Sequence, residues 1–341
     1  MEIEISIILP KGTCMRNTLH YYGGYFFMKP FKTLDEQIEI LEDRNLVFTN
    51  KEEAKDYLLH NNYYNIINCY SKYFLSSNGK YIDNTDFKNI TDVHHFDKNI
   101  KSTFFTYLIE SEKTFKSIFA YRYSEYFKDM RYPYLDINNY ETDKILEVSK
   151  FISQLSNIIS TNIKQKNNSI EHYVLKHKNV PVWILVNNLT FGQTSKLYSY
   201  MPMSLKNKIA KDLSHFLKMN TPYEKVILET VQLESYLINL VDLRNKIAHN
   251  NKIIDHKFRN HNRFNSSLHE PYGVSKNSPR NDIFNAFITM KCFLYDQEFI
   301  QLNNSISKRF RKLERKINLQ AYNKITNDLG FKDILPKIEQ K

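Results

Sequence analysis

Along most of the chain apolar residues recur at spacings of three and four between short polar breaks, a period that belongs to helices. Two early helices mark their own starts. Thr33 with Glu36 has capping-box spacing, and Asn50 with Glu53 repeats it with Asn in place of Ser or Thr, so helices are expected over 34–44 and 51–60. The aromatic run NNYYNIINCYSKYFL at 61–75 carries apolar residues on both faces and predicts a buried helix. Residues 76–92, with Gly79 and Asp83-Asn84, read as a loop. Long helices are expected over 94–128 and 142–165, and a shorter one near 169–178. Pro181 then opens an apolar helix that Gly192 interrupts, and 203–217 is amphipathic. Thr221-Pro222-Tyr223-Glu224 combines a cap, a proline at the first helical position and a capping-box Glu. It predicts a helix to His249 of about 28 residues, or roughly 42 Å. Residues 255–280, rich in Asn, Ser, His, Gly and Pro, form the longest expected loop, and Ser278-Pro279 opens a last helical block over 281–330. Before residue 29 the pattern differs: 5–9 suits a short strand, Gly23-Gly24 is a break, and Met28 is an alternative start. No internal repeat is visible.

Composition sharpens this to an all-α chain. Only 7 Gly and 9 Pro punctuate 341 residues, too few for a many-stranded fold, and 42% hydrophobic residues suffice for a packed core. The expected organisation is an extension at 1–28, a smaller N-terminal helical segment at 29–93, a helical bundle at 94–330 and a tail at 331–341. Lys and Arg number 48 against 37 for Asp and Glu, a net +11 that favours a polyanionic partner, most commonly nucleic acid. The alternative for such a surplus is a general solubility charge. Cys14, Cys69 and Cys292 are scattered, an odd number without zinc-like spacing, which fits a reducing cytoplasm. The N-terminus lacks a basic signal-like region, and no stretch of about 18 apolar residues predicts a membrane span.

The chemistry gathers where the 222–249 segment ends, in LVDLRNKIAHNNKII. Leu233, Leu237, Leu240, Arg244 and Ile247 form one helical stripe, and Ile238, Val241, Asn245 and His249 an adjacent one. A charge therefore interrupts an apolar face, and an inward Arg or His must be paired or functional. The plain alternative is a helix C-terminus, where cations complement the dipole. Arg263 and His269 make a looser pair with one extra residue between them. His94-His95 are adjacent, His172 and His177 are five apart, and no carboxylate–His set has metal spacing, so neither a metal nor another cofactor is expected. The run Lys308-Arg309-Phe310-Arg311-Lys312, with Arg315 and Lys316, is strongly basic and is read either as a solvated face or as a track for RNA backbone. Trp183, Phe191 and Tyr198 are expected in the core, and Gly192, being alone, implies no phosphate-cradling loop.

LRNKIAHNN resembles the R-x4-H motif of HEPN ribonucleases, including the polar residue after the Arg. The wider chain resembles the abortive-infection family of AbiD and AbiF type in three further places. These are KPFKTLDEQIEILEDRNLVF, DYLLHNNYYNIINCYSKYF, and VPVWILVNNLTFGQTSKLY at 180–198 with its Phe-Gly-x-x-Ser-Lys-Leu-Tyr run. The resemblance covers about 29–330 in order; the family often has His-His where this chain has His249-Asn250. It implies a HEPN-like bundle and a metal-independent endoribonuclease in bacterial anti-phage defence. Arg244, Asn245 and His249 would be catalytic, and Lys246, Lys308, Arg309, Arg311, Lys312 and Arg315 would bind RNA. It also implies a homodimer in which two motifs share a cleft, and control by a regulatory noncoding RNA. The alternatives are a non-catalytic RNA-binding module in which Arg244 and His249 only grip phosphate, a regulatory partner of a noncoding RNA, and a structural dimer with no RNA role.

Overall fold

Thr33 and Asn50 both start helices. The computed structural model describes residues 30–141 and 143–331. Thr33 Oγ1 accepts from the Glu36 amide at 3.3 Å while Glu36 Oε2 accepts from the Thr33 amide at 2.7 Å, closing the box that opens α1 (Leu34–Glu42). Asn50 accepts from the Glu53 amide at 3.1 Å and opens α2 (Lys51–Asn61). The extension at 1–28 and the tail beyond Phe331 lie outside the described residues.

The residues cluster into two compact units. Of the described residues, the first takes in 30–100 with Asn250–Lys252 and Lys308–Asn327; the second takes in Lys101–His249, Ile253–Ser307 and 328–331. In the first unit the aromatic run departs from expectation. It is a π turn at Tyr64–Asn68 followed by a 3₁₀ turn at Ser71–Tyr73, with Asn62 at φ 62 breaking the path after α2. Its burial is as expected, since Ile66, Ile67, Tyr70, Tyr73 and Phe74 are each 3% exposed or less. The loop that follows is shorter than predicted. Asp86 accepts from the Lys88 amide and Asn89 from the Asp86 amide, so α3 already begins at Phe87 and runs to Tyr126.

In the second unit α3 is followed by α4 (Ile145–Lys164), α5 (Ser169–His177), α6 (Val182–Leu185), α7 (Phe191–Ser199), α8 (Met203–Met219) and α9 (Thr230–Ala248). After them come α10 (Ser266–His269) and α11 (Ile283–Thr289), while α12 (Asp296–Glu314) and α13 (Leu319–Leu329) complete the last helical block. Phe104, Leu108, Phe115 and Phe119 of α3 are fully buried, and Phe115 meets the rings of Phe191, Tyr198 and Phe293 at 5.7–6.4 Å. Among the described residues there are isolated bridges at Val47–Asp86 and Leu75–Tyr81 but no strand, so the fold is all-α. Among them, too, no helix is long and apolar enough to cross a membrane.

Two helix boundaries correct the sequence reading. Gly192 does not interrupt a helix. Thr190 and Gln193 form a capping box that starts α7, with Gly192 inside its first turn. The Thr221-Pro222-Tyr223-Glu224 signal starts nothing, because α9 begins only at Thr230, capped by Glu229 with Gln232. Tertiary partners take up the intervening backbone instead: the Leu228 amide donates to Ser214 Oγ at 2.9 Å, and the Ile227 carbonyl accepts from Asn265 at 2.8 Å. The 19 residues of α9 therefore span about 28 Å.

Candidate functional site

α9 ends at the residues the sequence singled out. Leu233, Leu237 and Leu240 are fully buried and Ile247 is 9% exposed, so the stripe carrying Arg244 faces inward as expected. The adjacent stripe does not. Ile238 is 52% exposed, and Asn245 and His249 are exposed, while Val241 between them is half-buried near Gly192 of α7. His249 is the C-cap residue; its amide donates to the Asn245 carbonyl at 3.0 Å, which fixes the last turn while leaving the ring to solvent. Asn250 follows at φ 54, the left-handed step that ends helices and that Asn tolerates better than most side chains.

Arg244 is held from the other side. Its Nε lies 3.7 Å from Glu112 Oε2 on α3, close enough for charge attraction but too long for a hydrogen bond. Glu112 is 13% exposed and ion-pairs at 2.7 Å with Lys116, which also donates to the Leu189 carbonyl at 2.6 Å. The Arg244 Nε is buried and finds no hydrogen-bond partner among the described residues. The guanidinium is thus oriented by a carboxylate yet keeps its donors for another acceptor, such as a phosphate oxygen. Sequence reasoning missed Glu112 and Lys116. The signal was present, since Leu108, Glu112, Phe115 and Phe119 recur at spacings of 4, 3 and 4, a charge interrupting an apolar stripe as at Arg244.

The signature at 180–198 buttresses this end of α9. An added Cβ on Gly192 would meet Val241 Cγ1 at 3.3 Å, so glycine permits the close approach of α7 to α9 one turn before Asn245. Phe191 and Tyr198 are 1% and 0% exposed, as expected of core residues, but Trp183 is 51% exposed. α6 is a single turn in which Val182 and Leu185 face inward, which turns Trp183 outward. With Tyr121, Ile109, Lys113 and Lys116 it lines an open groove of about 870 Å³ that Glu112 also borders.

Nearby, Asp242 accepts from His256 at 3.1 Å, and that bond holds its carboxyl below the usual range. Lys246 is half-buried. The remaining expected RNA contacts lie in the first unit: Lys308, Arg311, Lys312 and Arg315 are exposed and Arg309 is half-buried. Among the described residues none of the five makes an ion pair, and no three His, Cys, Asp or Glu side chains gather as a metal site.

A family model described as Abi-like protein matches residues 56–255, more than half of the 341-residue chain, from within α2 past the end of α9. The chain belongs to the Abi-like protein family. Searches of characterised proteins and of solved structures return no match. Membership supports a role in abortive-infection defence. Within this Abi-like chain the matched span contains Arg244, Asn245, His249, Glu112 and the 180–198 signature, whereas the basic run at 308–316 lies beyond it.

Proposed function

We propose that the chain is a metal-independent endoribonuclease of the HEPN type, acting on RNA in the bacterial cytoplasm during abortive infection. One observation carries the reading. An R-x4-H run inside the family-matched span ends a helix with its His exposed and its Arg guanidinium oriented but unbonded. In this reading the 2′-oxygen of the substrate attacks the adjacent phosphorus. A base takes the 2′-hydroxyl proton, and the 5′-oxygen leaves with a proton from an acid. Imidazole suits either transfer, so His249 is the proposed acid–base group. Arg244 offers a planar fork to the non-bridging oxygens as charge grows on them. Asn245, exposed beside them, would hold a phosphate oxygen or the imidazole, and Lys246 would contact the strand.

Residues five apart lie about 140° round a helix, so one motif does not close a site by itself. A homodimer that brings two α9 ends together answers this. The uncovered apolar residues Val231 and Ile238, 51% and 52% exposed on the helix that bears His249, supply surface for it. Mixing inactive Arg244→Ala and His249→Ala subunits should then restore some cleavage. A regulatory noncoding RNA fits the same positive charge. The unpaired cations at 308–315 also favour a second reading, an RNA-binding module that does not cut.

The test is expression of wild type and His249→Ala, with growth and total RNA integrity scored, followed by end-group analysis of RNA cut in chelator. Products with 2′,3′-cyclic phosphate and 5′-hydroxyl ends are expected. Activity lost in EDTA and restored by Mg²⁺ or Mn²⁺ overturns the proposed chemistry; intact RNA bound by both proteins favours the second reading.

A further inference from the structure

In the first unit the start of α3 lies beside the end of α12, joined by the edge-to-face contact of Phe96 and Phe310 at 5.1 Å. On one flank of that seam is a cleft of about 250 Å³, lined by His95 and Asn99 from one side and Arg309, Lys312 and Lys316 from the other. Its charge is one-sided. Asp92, 8% exposed, is the carboxylate on the lining, and it is taken by an ion pair with Lys316. Arg309 and Lys312 have no carboxylate partner among the described residues. The Nε of Arg309 is buried with no hydrogen-bond acceptor, a state that an incoming anion would relieve. His95 points the same way. Burial first, and then Lys316, Lys98 and Lys312, hold its imidazole below the usual range, against the opposing pull of Asp92.

The cleft is sized for a phosphate rather than a large ligand, and it does not end there. Asp92, His95 and Lys316 also border a second crevice of about 790 Å³, with Tyr57 and the stacked rings of Phe48 and Phe87. A lone anion needs no such extension, whereas a strand whose phosphate is gripped needs room for the neighbouring ribose and base. Half-buried Phe48 and Tyr57 give a base apolar surface to rest against there, while Phe87 is buried behind them.

We propose that the cleft formed by His95, Arg309, Lys312 and Lys316 is a phosphate-binding site that takes a backbone phosphate of single-stranded RNA. The site deepens the RNA-binding part of the proposed function and rests on it for the identity of the polymer. It does not require cleavage. Within the basic run it separates Arg309 and Lys312, which line the cleft, from Lys308, Arg311 and Arg315, which do not. Arg309 would donate through its fork, and Lys312 would add an exposed charge at the rim.

The experiment uses the full chain carrying His249→Ala, so that the probe stays intact. A labelled ten-nucleotide oligouridine is titrated by fluorescence anisotropy across a salt series, with inorganic phosphate as competitor. Arg309→Gln with Lys312→Gln should weaken strand binding by about tenfold or more. It should also flatten the log–log salt slope by about 1.4, the value for two phosphates no longer neutralised on a single strand. Lys80→Gln with Lys324→Gln removes the same charge from the same unit and should change affinity by less than about threefold. Arg309→Lys should recover only part of the loss, because lysine lacks the fork. Equal weakening by both double variants overturns the site in favour of a diffuse basic face. Phosphate that binds wild type but not the Arg309/Lys312 variant, with strand affinity unchanged between them, overturns the strand and leaves a free-phosphate site. If the double variant melts early, Lys312→Gln alone, at an exposed position, decides between the same outcomes. Wild type that grips the strand here and never cuts RNA sinks the nuclease reading and leaves this site standing.

Discussion

The second unit holds two Arg–His pairs of similar spacing, and their surroundings differ in almost every respect. His249 ends α9 with its ring in solvent, and Arg244 points inward toward Glu112 without a hydrogen bond. His269 is fully buried; its Nδ1 lies 2.9 Å from the Asn265 carbonyl and its ring stacks on Phe264 at 5.4 Å. Arg263 is exposed, and its backbone serves the fold: the amide donates to Ser235 Oγ at 2.9 Å, and the carbonyl accepts from the Tyr236 hydroxyl at 2.9 Å. Residue type and spacing do not distinguish an exposed histidine from a buried one. What distinguishes them is placement: His249 stands in solvent beside an Arg drawn toward a carboxylate, whereas His269 is sealed in the core beneath an exposed Arg263.

The widest expected separation is between the two histidines. His249→Ala should cut RNA cleavage by about 100- to 10,000-fold, the usual contribution of a positioned acid–base group, with the melting temperature unchanged. His269→Ala should do the reverse. It removes a buried ring and should cost about 3 kcal/mol, while activity per folded molecule persists. Denaturant unfolding and cleavage measured on the same preparations check both. A His249 variant that loses stability along with activity would move that residue into the structural class.

Arg244→Lys comes next. If Arg244 matters only as a charge near a helix end, worth about 0.3–1 kcal/mol, lysine preserves it. If it forks onto the scissile phosphate, lysine cannot, and cleavage should fall about 100- to 1000-fold, or roughly 2.7–4 kcal/mol. Single-turnover rates at saturating enzyme read this directly. Near-wild-type cleavage by Arg244→Lys would leave His249 without its proposed partner.

Much of this site was legible from sequence because its signals are local. The stripe of Leu233, Leu237, Leu240 and Arg244 depends on helical period alone, as do the boxes at Thr33 and Asn50. The illegible parts depend on contacts distant along the chain. Glu112 reaches Arg244 across 132 positions, and no local rule pairs them. The helix expected from Pro222 fails as Ser214 and Asn265 take the Leu228 amide and Ile227 carbonyl that its second turn would have used, and Thr221 Oγ1 caps nothing. The true cap, Glu229 with Gln232, uses a side chain outside the preferred set at that position. The apolar neighbours of Trp183 suggest an inward side chain, but a one-turn helix has too few inward places for all of them.

Acid should also tell the pairs apart. Burial first, with Arg280 adding to it, pushes the His269 imidazole down to about 4. The folded protein therefore keeps this ring neutral while an unfolded chain protonates it near 6.5. The unfolded state then binds the extra proton between those values, so stability is intact above about pH 6.5 and falls progressively toward pH 4. The full span corresponds to about 3 kcal/mol. Chemical denaturation across that window should show the slope in wild type and in His249→Ala alike. His269→Gln should flatten it. A slope that survives in His269→Gln would assign it to other groups.

The smallest effect concerns what holds the Arg244–His249 end in place. Gly192→Ala sets two terms against each other. Alanine inside a helix is favoured over glycine by about 1 kcal/mol. The new methyl, however, would stand 3.3 Å from Val241 Cγ1, tighter than ordinary van der Waals contact, and overpacking costs about 1–3 kcal/mol. Val241 is only half-buried, so it can yield by a few tenths of an ångström and the clash should fall at the low end. A net loss of under about 1 kcal/mol is therefore expected. Val241→Ala removes the atom that is struck, so in its background Gly192→Ala should become stabilising and the propensity gain should appear alone. A double-mutant cycle by denaturant unfolding measures that reversal. If Gly192→Ala costs the same with valine or alanine at 241, the close approach of α7 is not what glycine provides, and the signature at 180–198 supports α9 by some other contact.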